Sequence, residues 1–146
     1  MEGRLWVGRY VRPDDVPHLR RLGVTTVINL QSDADLKACK TSLAALCALY
    51  DRDEIELRRV PIADFDEGAL AQALDRCVGE IESALARRWA KVYLHCTAGV
   101  NRSPTAAAAY LVKAKGYSAR QAFDFVVGKR YCEPYLKVLE GYAARL

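Results

Sequence analysis

The sequence predicts an α/β fold, with a mostly parallel central sheet flanked by helices on both faces. Three observations carry that prediction. Strand-like and helix-like segments alternate along the chain. The segment Val24–Leu30, VTTVINL, is β-branched and nearly continuously apolar, as a strand buried on both faces must be. The intervening segments carry apolar residues at helical spacing, so each has a face to lay on a sheet.

Taken in order, Leu5–Tyr10 reads as a short strand and Pro13–Leu22 as a helix that Gly23 is placed to end. The Val24–Leu30 strand comes next. Leu36, Cys39, Leu43, Leu46, Cys47 and Tyr50 then share one helical stripe, which gives Cys39 and Cys47 a plain role as small core residues. Ile55–Ile62 is a third strand. Leu70, Leu74, Cys77, Val78, Ile81 and Leu85 mark the next helix. Val92–His95 is a short apolar strand, and 102–115 is a helix apolar almost all round, hence central. Ser118 and Gln121 form a capping box that opens a helix with Ala122, Phe123, Val126 and Val127 on its apolar face. A last helix covers Pro134–Ala144.

The chain has 146 residues, the size of one domain, and 1–146 is read as a single unit. Its apolar fraction of 51% and charged fraction of 27% fit a soluble globular protein. A net charge of +4 suits an anionic substrate and falls far short of a basic stripe for nucleic acid. The five cysteines show no C-x-x-C pair, and His18 and His95 lie far apart, so neither a disulfide scaffold nor a zinc site is expected. Reduced thiols place the chain in the cytoplasm, or in a plastid where a transit peptide has been removed. The start lacks the pattern of a signal peptide, and no apolar run is long enough to span a bilayer, so no membrane association is expected.

In a parallel sheet the ligand crevice lies beyond the carboxyl ends of the strands. The segment leaving the 92–95 strand reads His95-Cys96-Thr97-Ala98-Gly99-Val100-Asn101-Arg102-Ser103. A turn from a buried strand into a buried helix presents backbone N–H groups at a helix N-terminus, an anion site. Gly99 supplies the freedom to aim them inward. Arg102 closes the cup with a planar fork that grips two phosphate oxygens. Cys96 lies at the floor, where that field favours its thiolate. A nucleophile thus sits under a tetrahedral oxyanion site.

This H-C-x-x-G-x-x-R-S pattern resembles the cysteine-dependent protein tyrosine and dual-specificity phosphatases. The resemblance implies the small dual-specificity form of that fold and a phosphomonoester hydrolase working through a phosphocysteine, with no metal and no cofactor. It also implies a general acid on a loop about thirty residues before the cysteine. Asp64 of Pro61-Ile62-Ala63-Asp64-Phe65-Asp66 is the choice; Asp66 is the runner-up, with capping the following helix as its other role. By the same resemblance His95 orients the loop. Ser103 hydrogen-bonds the leaving thiolate or serves as the helix cap alone. His95, Thr97, Ala98, Gly99, Val100, Asn101 and Ser103 are assigned to substrate binding around Cys96, Arg102 and Asp64.

Within the family the chain is similar to the plant starch glucan phosphatases, with laforin more distant. The carriers are Leu30–Leu36 (LQSDADL), Asp64-Phe65-Asp66, His95–Gly99 and Lys129-Arg130-Tyr131-Cys132. That branch implies a phosphorylated α-glucan as substrate, with Phe65 and Tyr131 as sugar-stacking candidates; core packing is the other role for both. The alternative substrate is a phosphoprotein. Asn101 stands where those loops usually carry glycine, and Ser103 where they often carry alanine. At the rim, the Asn101 side chain is expected to narrow or polarise the entrance.

Overall fold

A computed structural model describes residues 3–146. Its strands are β1 (Leu5–Gly8), β2 (Thr26–Asn29), β3 (Glu56–Arg59) and β4 (Val92–His95). They form one sheet in the order β1-β4-β2-β3, and every pairing is parallel. The helices are α1 (Val16–Leu22), α2 (Asp33–Ala38), α3 (Leu43–Arg52), α4 (Glu67–Leu85), α5 (Arg102–Lys115), α6 (Ala119–Lys129) and α7 (Leu136–Ala144).

Strand alternation sorts the core into two layers. Trp6, Tyr93, Val27 and Leu57 stand in one row across the sheet. They pack with Val16, Leu19, Leu46 and Tyr50 of α1 and α3. Ile28, Val92 and Leu94 point the other way, into the larger core built with α4, α5, α6 and α7. α5 is buried along most of its length, and Ala106–Ala109 let it lie close to its neighbours. Its central place is as the sequence predicts.

The expected helix through Leu36 and Tyr50 is two helices. Cys39 ends α2, Lys40 takes a left-handed φ of 54°, and the Thr41 N–H returns to the Leu36 carbonyl. Ser42 then caps α3 through the Ala45 N–H. The break removes the continuous stripe, so Cys39 and Cys47 are half-exposed instead of core residues. β1, β2 and β3 are shorter than the apolar runs suggest, whereas β4 covers Val92–His95 as expected. Val127 lies on the exposed edge of α6, 40% accessible. The Ser118–Gln121 capping box does open α6.

Parallel pairing brings Gly8, His95, Asn29 and Arg59 to one edge of the sheet. The segments leaving all four strands therefore meet there, and the motif loop leaves from the interior strand β4.

Candidate active site

The loop from Cys96 to Asn101 joins β4 directly to α5. Its shape is fixed by its neighbours. The Tyr10 N–H donates to the Thr97 carbonyl at 2.9 Å, and Gln31 Nε2 donates to Thr97 Oγ1 at 3.1 Å. Gly99 has φ 73°, and a Cβ there would stand 2.6 Å from the Gly8 carbonyl carbon and 2.9 Å from the Arg9 nitrogen. Only glycine combines that conformation with that close backbone approach. Ala98 faces solvent, and Val100 is half-buried. Among the described residues, no backbone N–H from Thr97 to Asn101 is taken by a protein acceptor. At the start of a helix such donors favour an anion.

Cys96 is 2% exposed, and its Sγ lies 3.3 Å from Ser103 Oγ. Ser103 is wholly buried in the first turn of α5, and Asn101 holds the cap position without a side-chain cap bond. The hydroxyl thus faces the sulfur and does not cap the helix. Beneath the loop, His95 is buried, and burial lowers its pKa to about 4. It is therefore neutral near pH 7, and Nδ1–H donates to the Cys96 carbonyl at 2.8 Å.

Arg102 carries the most informative geometry. It is 2% exposed, and Nη1 donates both to Asp35 Oδ2 at 2.6 Å and to the Ile62 carbonyl at 2.7 Å. Nη2 meets Asp64 Oδ2 at the looser distance of 3.3 Å. Nε is buried and has no hydrogen-bond partner. A buried donor left unmet costs free energy unless a ligand completes it. Nη1 is thus the anchored corner, and the Nε–Nη2 edge is the fork open to an anion.

The anchor is a residue that sequence reasoning did not assign. Asp35 Oδ2 also accepts from the Ser32 N–H and Oγ, closing the capping box at the start of α2. Partial burial pushes its carboxyl upward, but the bonds from Arg102 and Ser32 outweigh that and hold it below the usual carboxylate value. The available signal was the S-x-x-D spacing inside LQSDADL; its pairing with a residue 67 positions away leaves no local trace.

Asp64 is half-buried and accepts the Phe65 N–H. Phe65 is held at φ 58°, a strained value for an aromatic residue, with its ring 81% exposed. Asp66 caps α4 through the Ala69 N–H and makes no contact with Arg102. Tyr131 is 75% exposed, so core packing is excluded for both aromatics. Asn101 Nδ2 donates to the Glu133 carbonyl at 2.8 Å, so the side chain holds the neighbouring segment. The reason is local: the Glu133 N–H already meets the Val100 carbonyl, which brings its carbonyl within reach of the amide. Tyr135, also missed, is half-buried; burial raises its phenol pKa first, and the carboxylates of Asp64 and Glu67 add to that. His18 is an exposed residue of α1. Among the described residues there is no cluster fit to hold a metal ion and no helix long and apolar enough to cross a membrane.

Over 133 residues the chain is 33% identical to a phosphoglucan phosphatase, DSP4, amyloplastic, of Castanea sativa, covering 90% of this chain and 36% of that protein. It is 31% identical over 142 residues to dual specificity protein phosphatase 12 of Mus musculus, covering 97% of this chain and 38% of that one. The chain thus spans little more than a third of the length of these relatives. Among solved structures, Tk-PTP in the active form superposes with a TM-score of 0.82 at 26% identity, covering 98% of this chain and 93% of that one. The family described as dual specificity phosphatase, catalytic domain, matches residues 5–137, and it is to this family that a chain with a cysteine and an arginine so placed on a four-stranded parallel sheet belongs.

Proposed function

We propose that the chain is a phosphoric monoester hydrolase acting through a phosphocysteine. The observation that carries this reading is the buried, unpartnered Nε of Arg102, beside an Nη2 that only Asp64 holds, on the helix whose Ser103 faces the Cys96 sulfur. In the first step the Cys96 thiolate attacks phosphorus, and the bond to the leaving oxygen breaks. Asp64 gives its proton to that oxygen. Arg102 and the loop amides take the charge on the three equatorial oxygens. In the second step Asp64 takes a proton from water, the water oxygen bonds to phosphorus, and the S–P bond breaks. Ser103 Oγ–H stabilises the departing thiolate. The contact between Asp64 and Arg102 yields as the phosphate takes over Nη2.

For the substrate we favour a phosphorylated α-glucan. The support is the LQSDADL and KRYC stretches, the similarity to a phosphoglucan phosphatase, and two exposed aromatics, Phe65 beside Asp64 and Tyr131 in the segment tied to the loop. Sugar faces stack on such rings. The similarity to a dual specificity protein phosphatase supports a phosphoprotein substrate on the same machinery. One side-by-side assay decides: phosphate release from phosphorylated amylopectin, phosphotyrosine peptides and an aryl phosphate. The glucan reading expects Phe65→Ala and Tyr131→Ala to lower release from amylopectin more than from the aryl phosphate. Strong release from peptides alone overturns it. Cys96→Ser should abolish turnover of all three; retained turnover overturns the mechanism.

A further inference from the structure

We propose that Asn101 is a specificity-determining positioning residue. Its side-chain amide fastens the segment 130–135 to the phosphate loop, and the fastening holds Tyr131 and Tyr135 as a fixed wall of the entrance. The inference rests on the phosphatase reading and adds a determinant of which leaving group that site accepts.

Residue 133 is gripped from both sides. Its N–H donates to the Val100 carbonyl at 2.7 Å, and its carbonyl accepts from Asn101 Nδ2 at 2.8 Å. A second tie returns to the same residue. The Thr105 hydroxyl, fully buried, donates to the Asn101 carbonyl at 2.7 Å and accepts the Tyr135 N–H at 3.0 Å. A third tie runs from Arg130 Nη1 to the Val7 carbonyl at 3.0 Å, next to the Gly8 backbone on which Gly99 rests. The segment is therefore fixed at its start, middle and end. All three anchors belong to, or adjoin, the elements that shape the phosphate cup.

Two aromatic residues ride on it. Tyr131 projects its ring into solvent. Tyr135 is held through its backbone N–H on Thr105, in the opening turn of α5 that also carries Arg102 and Ser103. With glycine at 101, residue 133 keeps one bond to the loop and loses the other. The wall then moves, and a substrate that extends beyond its phosphate loses contacts that a small one never made. Binding energy remote from the reacting atoms is lost selectively.

The test uses the full chain and the ratio of kcat/KM on phosphorylated amylopectin to kcat/KM on an aryl phosphate. Asn101→Gly and the near-isosteric Asn101→Asp, which lacks the N–H, should each lower that ratio about three- to tenfold, the range for one lost hydrogen bond. The fall should appear mainly in KM for the large substrate. Trypsin cleavage after Lys129 and Arg130 should quicken by a similar factor as the segment loosens. In a Tyr131→Ala, Tyr135→Ala background the same Asn101 substitutions should cause no further fall, because the residue acts through those rings. An unchanged ratio with unchanged cleavage overturns the inference. So does an equal further fall in the aromatic-free background, which would mark a direct or merely structural role. If native protein releases nothing from amylopectin, the glucan reading fails on that result alone, and the ratio is taken with a phosphopeptide instead. Should Asn101→Gly fail to fold, Asn101→Asp alone decides.

Discussion

Removing the carboxylate that holds Arg102 should cost more activity than its distance from the reacting atoms suggests. Asp35 Oδ2 takes three donors: Arg102 Nη1 at 2.6 Å, the Ser32 N–H at 2.9 Å and Ser32 Oγ at 3.0 Å. Asp35→Asn keeps an acceptor oxygen but removes the charge. Charge-assisted hydrogen bonds are about twice as strong as neutral ones, a difference of roughly 1–1.5 kcal/mol. That corresponds to about a tenfold fall in kcat/KM. Asp35→Ala leaves Nη1 with only the Ile62 carbonyl; the loss is then about 2–3 kcal/mol, or roughly 100-fold. The assay is steady-state turnover of an aryl phosphate with vanadate inhibition in parallel, because a swung fork should weaken both. Asp35 also supports the start of α2, so Ser32→Ala serves as the control. That change removes the cap hydroxyl and should lower stability by about 1 kcal/mol, with a much smaller loss of turnover than Asp35→Ala. An Asp35→Ala protein that folds and keeps more than half of native kcat/KM would refute the anchoring argument.

Three further outcomes are expected. Arg102→Lys keeps the charge but loses the Nε–Nη2 edge, so kcat should fall by about 10² or more in the same assay; near-native turnover would remove Arg102 from the site. Gly99→Ala places a methyl against the backbone of Gly8 and Arg9 at a positive φ, and should cost about 1–3 kcal/mol in urea unfolding together with most activity. Between about pH 6.5 and 4 only the unfolded chain binds a proton at His95, so its contribution to stability is complete above that window and falls as pH drops through it. Stability should therefore decline by about 2 kcal/mol between pH 7.5 and 5, and His95→Gln, which cannot take up a proton, should flatten that part of the profile. Equal slopes for both proteins would show that the histidine is not the source.

What was legible in the sequence was what lies close together along it. Gly99, Arg102 and the apolar strand before Cys96 sit within a few residues, and backbone physics alone turns that order into a cup at a helix start. The periodicity of α4 and the cap at Ser118 are local in the same way. The rest turned on competing local and distant claims on one side chain. For Ser103 the sequence left a helix cap and a bond to the Cys96 sulfur both open, and the sulfur facing it decides for the bond. The tie from Asn101 to Glu133 was hidden because its partner comes 32 residues later. Lys40 in a left-handed conformation broke a stripe that spacing made continuous. Asp35 was hidden inside a motif whose partner is 67 residues away.

The long spans of these ties bear on how activity arises as the chain folds. Arg102 meets Ile62 across 40 residues, Asn101 meets Glu133 across 32, and Arg130 meets Val7 across 123. Such contacts close large loops, and their entropy must be met before they hold. Helices such as α4 can form early from local signals; the cup cannot, because its supports come from β1, the β3–α4 connection and the segment before α7. Turnover is thus a late event in refolding, lagging behind the recovery of helical circular dichroism. It vanishes at the first local opening that frees 130–135, before the sheet itself comes apart.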